Sequence, residues 1–303
     1  MQLITKKDIL AKEDGFVIKS FALLQSIERR LTKSGSPYYS GNLQMVGTIQ
    51  YKVWNNSPAF NFIETADRQS GIVEIDATVN IYSGQMSLVI NTMRWGSPEG
   101  LTEADFYESV YDSNKYMGML RSQLQARCTP NAVRVFELMM EKYEQRFKEE
   151  FAAISHHDNC RNGLLAHTVK VMKMASVVAM YKNLMERITP DVLYVGCALH
   201  DIGKILEYNC GTISEIGKKV SHLTIGIEML FELKSEIIKL KDEEFYYSLC
   251  SVVSQHAGEW SDRPRTLAAY VVNCVDSLEA NFATLNTLAT EDGTIQFDGL
   301  KLN

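Results

Sequence analysis

All six histidines of the chain lie between positions 156 and 256, and four of them form an ordered series with two aspartates. The series runs His167, the adjacent pair His200-Asp201, His222, His256 and Asp276. From one histidine to the next and then to Asp276, the gaps are 33, 22, 34 and 20 residues. Imidazole and carboxylate are the ligands that borderline divalent metals such as manganese, iron, zinc and nickel prefer, and gaps of this size suit one ligand per helix across consecutive helices. A lone histidine in a helical domain is more often a hydrogen-bonded structural residue than a ligand. The ordered series is what raises the metal reading above that one. The first hundred residues contain no histidine, so the chemistry is expected in the C-terminal half.

The doublet stands in "LYVGCALHDIGKIL", residues 193–206, where an apolar helix runs into a small-residue turn. Neighbouring side chains on a helix point about 100° apart, so His200 and Asp201 can both reach one ion only near a helix end. Gly203 allows the backbone to turn there, and Lys204 leaves a cation at the rim. At this point the sequence resembles the HD superfamily of metal-dependent phosphohydrolases. His167 matches its first histidine, His200 and Asp201 its doublet, and Asp276 its closing aspartate, while His222 and His256 look like the extra pair of the two-metal branch. The flanking stretches "HHDNCRNGLLAHTVKV" (156–171), "SHLTIGIEM" (221–229), "SQHAGEW" (254–260) and "VDSLEA" (275–280) are similar to those of the YhaM-type 3′–5′ exoribonucleases. That family joins an N-terminal OB-fold to an HD domain, and the similarity runs over nearly the whole chain. One position departs from it: Gln255-His256 stands where the family usually shows two consecutive histidines, and glutamine is a poor metal ligand.

The 303 residues are 46% hydrophobic and 22% charged, ordinary values for a globular protein with a proper core. The start "MQLITKKDILAKEDG" is charged and polar, unlike a signal peptide, and the apolar runs near 174–181 and 192–199 are far shorter than a membrane span. A cytoplasmic protein with no membrane association is expected. The six cysteines are scattered, without a Cys-x-x-Cys pair, as expected of small buried apolar residues in an intracellular chain. Cys160, close to the histidines, is a weak ligand candidate. The net charge is −6, and the first hundred residues hold ten basic and nine acidic side chains, so the acidity belongs to the remainder. Nucleic-acid binding usually shows as clustered basic charge, which is missing here. Part of the acidity is the ligand set itself, which bound cations would offset.

The N-terminal third reads as strands. Leu43, Met45, Ile49, Tyr51 and Val53 alternate with polar residues, the period-two mark of a half-buried antiparallel pair, with Gly47 in the turn. Val73, Ile75, Ala77, Val79 and Ile81 repeat the pattern before a reversal at Ser83-Gly84. With an opening strand near 16–26 this makes about five strands, the number in an OB barrel. From Thr129-Pro130 onward the chain is helical; threonine can cap and proline suits the first turn, and Thr189-Pro190 repeats the signal before the doublet helix. The helix 163–181 is apolar on most faces and should be central. The expected architecture is α+β and multidomain: a five-stranded OB-like barrel over 1–100, a helical linker over 101–128, an all-α HD domain over 129–285, and a tail over 286–303 with a short hairpin or extended form.

The resemblance implies a phosphodiesterase that removes nucleotides from the 3′ end of single-stranded RNA, with DNA not excluded, using two divalent cations, manganese above iron, nickel or zinc. Asp201 would bridge the ions, His167, His200 and Asp276 would hold one, and His222 and His256 the other. Lys204 is the candidate catalytic cation. Substrate-contact candidates are Lys204, Arg161, Arg263, Arg265, His157 and, in the barrel, Trp54. Trp260, four residues past His256, could stack on a base, though tryptophan more often packs. Tyr51 shares the apolar face of its strand and should be core. An HD-type hydrolase of a small cyclic or triphosphate nucleotide is the competing enzyme reading, and a non-catalytic single-strand-binding protein is the reading from another class. A homo-oligomer is compatible with all of them.

Overall fold

The computed structural model describes residues 3–109, 111–153, 160–288, 295–297 and 300–302. The chain divides into two compact units, Met1–Glu108 and Ser109–Asn303.

The first unit contains α1 (Lys6–Leu10), β1 (Val17–Leu24), β2 (Glu28–Leu31), β3 (Pro37–Gln44), β4 (Thr48–Trp54), α2 (Pro58–Thr65), β5 (Gly71–Tyr82) and β6 (Gln85–Trp95). The alternating residues decide its core: Leu43, Met45, Ile49, Tyr51 and Val53 are all buried, as are Val73, Ile75, Ala77 and Val79. Ile81 is the exception on its face, exposed where β5 runs out toward the turn. Ser83 and Gly84 both have positive φ, 51° and 76°, the conformation that matches a two-residue hairpin turn to strand twist. Tyr51 is core, and its hydroxyl donates to the Ser26 carbonyl at 2.9 Å.

The six strands form one sheet in the order β1-β5-β6-β4-β3-β2. β1 also pairs with β3, Leu23 opposite Gln44 and Leu24 opposite Leu43, so the ladder returns on itself through β1, β5, β6, β4 and β3. All these pairings are antiparallel except β4 with β6, which is parallel. The sixth strand is β2, one more than expected. It hydrogen-bonds only to β3 and exposes all four residues of Glu-Arg-Arg-Leu, so it has no apolar alternation by which to announce itself.

The second unit is built from α3 (Ser113–Arg127), α4 (Pro130–Glu149), α5 (Gly163–Val178), α6 (Lys182–Met185), α7 (Pro190–Leu199), α8 (Lys204–Glu207), α9 (His222–Glu232), α10 (Lys234–Leu240), α11 (Glu243–Gln255) and α12 (Leu267–Leu288). A small hairpin, β7 (Tyr208–Asn209) with β8 (Thr212–Ile213), interrupts the helices, and after the last of them β9 (Ile295–Phe297) pairs antiparallel with β10 (Leu300–Leu302). The unit is therefore helical but not purely so, and the tail takes the hairpin form. α5 buries an unbroken run from Gly163 to Val169, which an amphipathic surface helix would not do. The segment read as a linker divides: α3 packs Met117, Leu120 and Leu124 into the same core as α4, α5 and α7.

Thr129 does not cap α4 with its side chain. Its hydroxyl and its N–H both donate to the carboxylate of Asp191, at 2.6 and 2.7 Å, and Lys241 pairs with the same group. A buried carboxylate needs its donors more than a helix start needs one more acceptor, so Asp191 ties the starts of α4 and α7 to the end of α10. Burial works against the ionised form, but these partners prevail and hold the carboxyl below its ordinary range. The stability it contributes is present above the unfolded pKa of about 3.9 and is lost as pH falls through the lower folded value. Asp191→Asn is expected to cost about 2 kcal/mol at neutral pH and to narrow its deficit against wild type below about pH 4, measured by urea unfolding across pH.

Candidate metal centre

The six residues of the His/Asp series arrive from five helices or helix ends. His167 lies inside α5, His200 is the C-cap of α7 with Asp201 next, His222 opens α9, His256 caps α11, and Asp276 lies within α12. The doublet does sit at a helix end. Gly203 serves a different purpose from the one its type suggested. Its φ of −64° is open to any residue, but a Cβ there would lie 2.0 Å from the His222 carbonyl oxygen. The glycine lets the backbone of α9 press against the doublet turn and so brings His222 to the site.

The Nε2 atoms converge. His167 and His200 stand 3.3 Å apart through Nε2, and Asp276 Oδ1 lies 2.9 Å from the first and 3.7 Å from the second. Asp201 sits at the centre, and its two oxygens face different partners. Oδ2 is 3.6 Å from His167, 3.4 Å from His200 and 2.7 Å from Lys204 Nζ. Oδ1 is 3.2 Å from His256 and 3.6 Å from His222. His167, His200, Asp201 and His256 are each at most 2% exposed.

Every imidazole is oriented through its other nitrogen. His167 Nδ1 faces Glu279 Oε2 at 2.6 Å, and His222 Nδ1 faces Glu207 Oε2 at 3.0 Å. His200 Nδ1 meets the Cys197 carbonyl at 2.8 Å, and His256 Nδ1 meets that of Val253 at 3.1 Å. An acceptor at Nδ1 fixes the tautomer whose Nε2 carries a free lone pair, which is how metal-binding imidazoles are held. Sequence reading missed Glu207 and Glu279. The available signal was that Asp276 and Glu279 are the only charged residues in the 22 of α12 and, three apart, share a helix face.

The electrostatics fit a cation. Burial opposes a charged His167, but Asp276 and Glu279 override it and raise the ring to about 10. Burial likewise opposes ionisation of both carboxyls, yet Lys204 with His200 and His256 holds Asp201, and His167 with His200 holds Asp276, below the ordinary range. Four ring nitrogens and two ionised carboxylates form a donor set that divalent metal satisfies once the proton on His167 is given up.

Of the remaining candidates, Lys204 joins the cluster. Lys204 is not a solvated rim cation: its side chain is 13% exposed and bound to Asp201. Arg161 pairs with Glu149 in a polar cleft lined by Ser113, Asn114 and Lys148 and by none of the six. Arg263 and Arg265 are exposed on the loop after His256. Gln255 turns away from the cluster, its amide oxygen accepting from the Arg265 N–H and the Ser251 hydroxyl. Cys160 joins neither of the His/Asp groupings found among the described residues. His156 and His157 lie outside the described residues. Trp54 belongs to the first unit, at the end of β4, 36% exposed and 5.2 Å from the Tyr38 ring.

Replacing Glu279 by glutamine keeps the shape and removes the charge behind His167. We expect metal affinity to fall about 10- to 100-fold, read by calorimetric titration of the chelator-stripped protein. Unchanged affinity would mean that the Glu279 charge does not set the donor strength of His167.

The model of the HD domain family matches residues 164–281, a span that holds all six residues. The chain is 27% identical to the 3′–5′ exoribonuclease YhaM of a Geobacillus strain over 90% of its own length and 85% of the relative's. It is 26% identical to the protein of the same name from Listeria innocua, covering 91% and 89%, and 26% to that of Bacillus subtilis, covering 90% and 88%. No helix among the described residues is long and apolar enough to cross a membrane. Residues 164–281 thus resemble an HD domain, and the chain resembles the YhaM 3′–5′ exoribonucleases along nine-tenths of its length.

Proposed function

We propose that the protein is a metal-dependent 3′–5′ exoribonuclease that shortens single-stranded RNA to nucleoside monophosphates. One observation carries the reading beyond similarity of sequence: the two oxygens of Asp201 face separate histidine pairs, His167 with His200 and His222 with His256. With that division, His167 and His200 would hold one cation and His222 and His256 another, with Asp201 contributing to both. Asp276 would complete the first set. Manganese suits these donors, as do iron, nickel and zinc. Divalent cations held there supply electrophilic activation of water and of the phosphoryl group.

The chain's own groups have distinct tasks. Asp201, held ionised, is a ligand and not a proton donor. Lys204 stays protonated because Asp201 outweighs the cost of its burial, so it acts as a charge and not as a base. Beside Asp201, the Lys204 ammonium would supply positive charge to the phosphate of the substrate. The closed ladder of the first unit, with α2 between β4 and β5, fits an OB-type barrel, and Trp54, against the half-buried Tyr38, supplies ring surface for an unpaired strand. A cytoplasmic setting belongs to the same reading, with RNA as the partner.

The test is incubation of end-labelled single-stranded RNA and DNA with manganese or with chelator. Stepwise shortening from the 3′ end is expected with RNA, release of monophosphates, and none with chelator. Asp201→Asn should lose at least about a hundredfold in rate. Internal cleavage of a circular strand, or an Asp201→Asn variant as active as wild type, would overturn the proposal.

A further inference from the structure

Position 255, where this chain has glutamine in place of the usual histidine, closes a loop. The Gln255 side chain is buried, and its oxygen holds the Arg265 N–H at 2.9 Å and the Ser251 hydroxyl at 2.7 Å. Ten residues of chain are thereby brought back to their starting point at the end of α11. Asn273 on α12 secures the near end, its amide donating to the His256 carbonyl at 2.9 Å. Gly258 has φ 56°, which favours glycine, and a Cβ there would face the Ser277 hydroxyl at 3.9 Å. The loop therefore starts at one member of the metal cluster, His256, and lies on the residue after another, Asp276.

Its side chains are out of place for a loop whose only task is to connect helices. Trp260, in a single 3₁₀ turn, is 89% exposed, the most exposed large hydrophobic side chain among the described residues. An indole left in water on an anchored backbone wastes a large apolar face unless something stacks on it. The charges of the loop balance, Glu259 and Asp262 against Arg263 and Arg265, so net attraction for phosphate is not what the loop offers. Stacking is sequence-tolerant and needs no net charge.

We propose that the loop 256–265 is a base-stacking subsite beside the metal centre, with Trp260 as the platform for a base near the strand end and Gln255 as the positioning residue. The inference rests on the exoribonuclease reading and names the part of the second unit that engages the substrate base. Gln255 acts through the loop: its amide oxygen fixes where the indole stands without touching the substrate.

The measurement is binding of a short 5′-labelled oligoribonucleotide to chelator-treated protein by fluorescence anisotropy, together with KM and kcat for its shortening in manganese. Trp260→Ala is expected to weaken binding and raise KM about tenfold, with kcat changed far less and bound metal unaltered, while Trp260→Phe restores most of the affinity. Gln255→Leu should reproduce the KM effect, and Gln255→Glu, which keeps an acceptor for both donors, should rescue it. Thermal unfolding of each variant separates loss of the loop from loss of the fold. Equal binding by wild type and Trp260→Ala would overturn the inference. So would a loss of kcat and metal content together, which would make the loop a support for the ligands, or a loss of self-association on gel filtration without change in RNA binding. A wild-type protein that shortens no RNA would instead remove the exoribonuclease reading.

Discussion

The carboxylate of Asp201 is buried among four imidazoles and an ammonium, and the helical unit is arranged to keep it ionised there. An isolated carboxylate in such a place would cost several kcal/mol. The cost is offset first by the Lys204 ammonium from α8 at 2.7 Å, with imidazoles from α5, α7, α9 and α11 gathered around the carboxylate. Each of those helices is placed by apolar packing, α5 and α7 nearly all round, so the polar centre lies within one continuous core. The centre is a consequence of that packing and also the reason the packing tolerates so many polar groups.

Orientation is the second requirement, and it is met by groups that do not touch the centre. Two histidines are held by carboxylates, Glu279 and Glu207, and two by carbonyls of their own helix, those of Cys197 and Val253. A carbonyl acceptor is available only because His200 and His256 both stand at a C-terminal helix end, where carbonyls lack intrahelical partners. His167, inside α5, has no such carbonyl to use, and His222 opens its helix. Both need a carboxylate from another element. The position of each histidine along its helix thus dictates what kind of partner supports it.

The loop after His256 extends the same logic outward. Gln255 and Asn273 direct their amides to backbone groups, which anchors the segment between the helices of His256 and Asp276 at both ends. An anchored segment can present an aromatic face at little entropic cost when a strand arrives. In the first unit the corresponding economy is the returning ladder, which leaves β2 as its one strand bound on a single side.

Much of this was legible from residue type and spacing. The alternation in 43–53 and 73–79 marked buried strand faces because a strand's period of two leaves no other way to hide those side chains. Histidines and aspartates in order marked the centre because few other uses gather both types. β2 was illegible because nothing on it is buried; α3 was read as helical, but not as part of the core, because its polar face and its place after a turn-rich stretch read like a connection. Glu207 and Glu279 were passed over because an acid on a helix looks the same in sequence whether it is solvated or buried against a distant partner. Gly203 was noticed for its freedom of backbone, when what matters is the missing Cβ against α9. Residue types and their order determined which chemistry the chain can perform. Which oxygen of Asp201 meets which histidine, and what stands behind each ring, was decided only by helix packing, because those distances depend on backbones that approach from far apart in the chain.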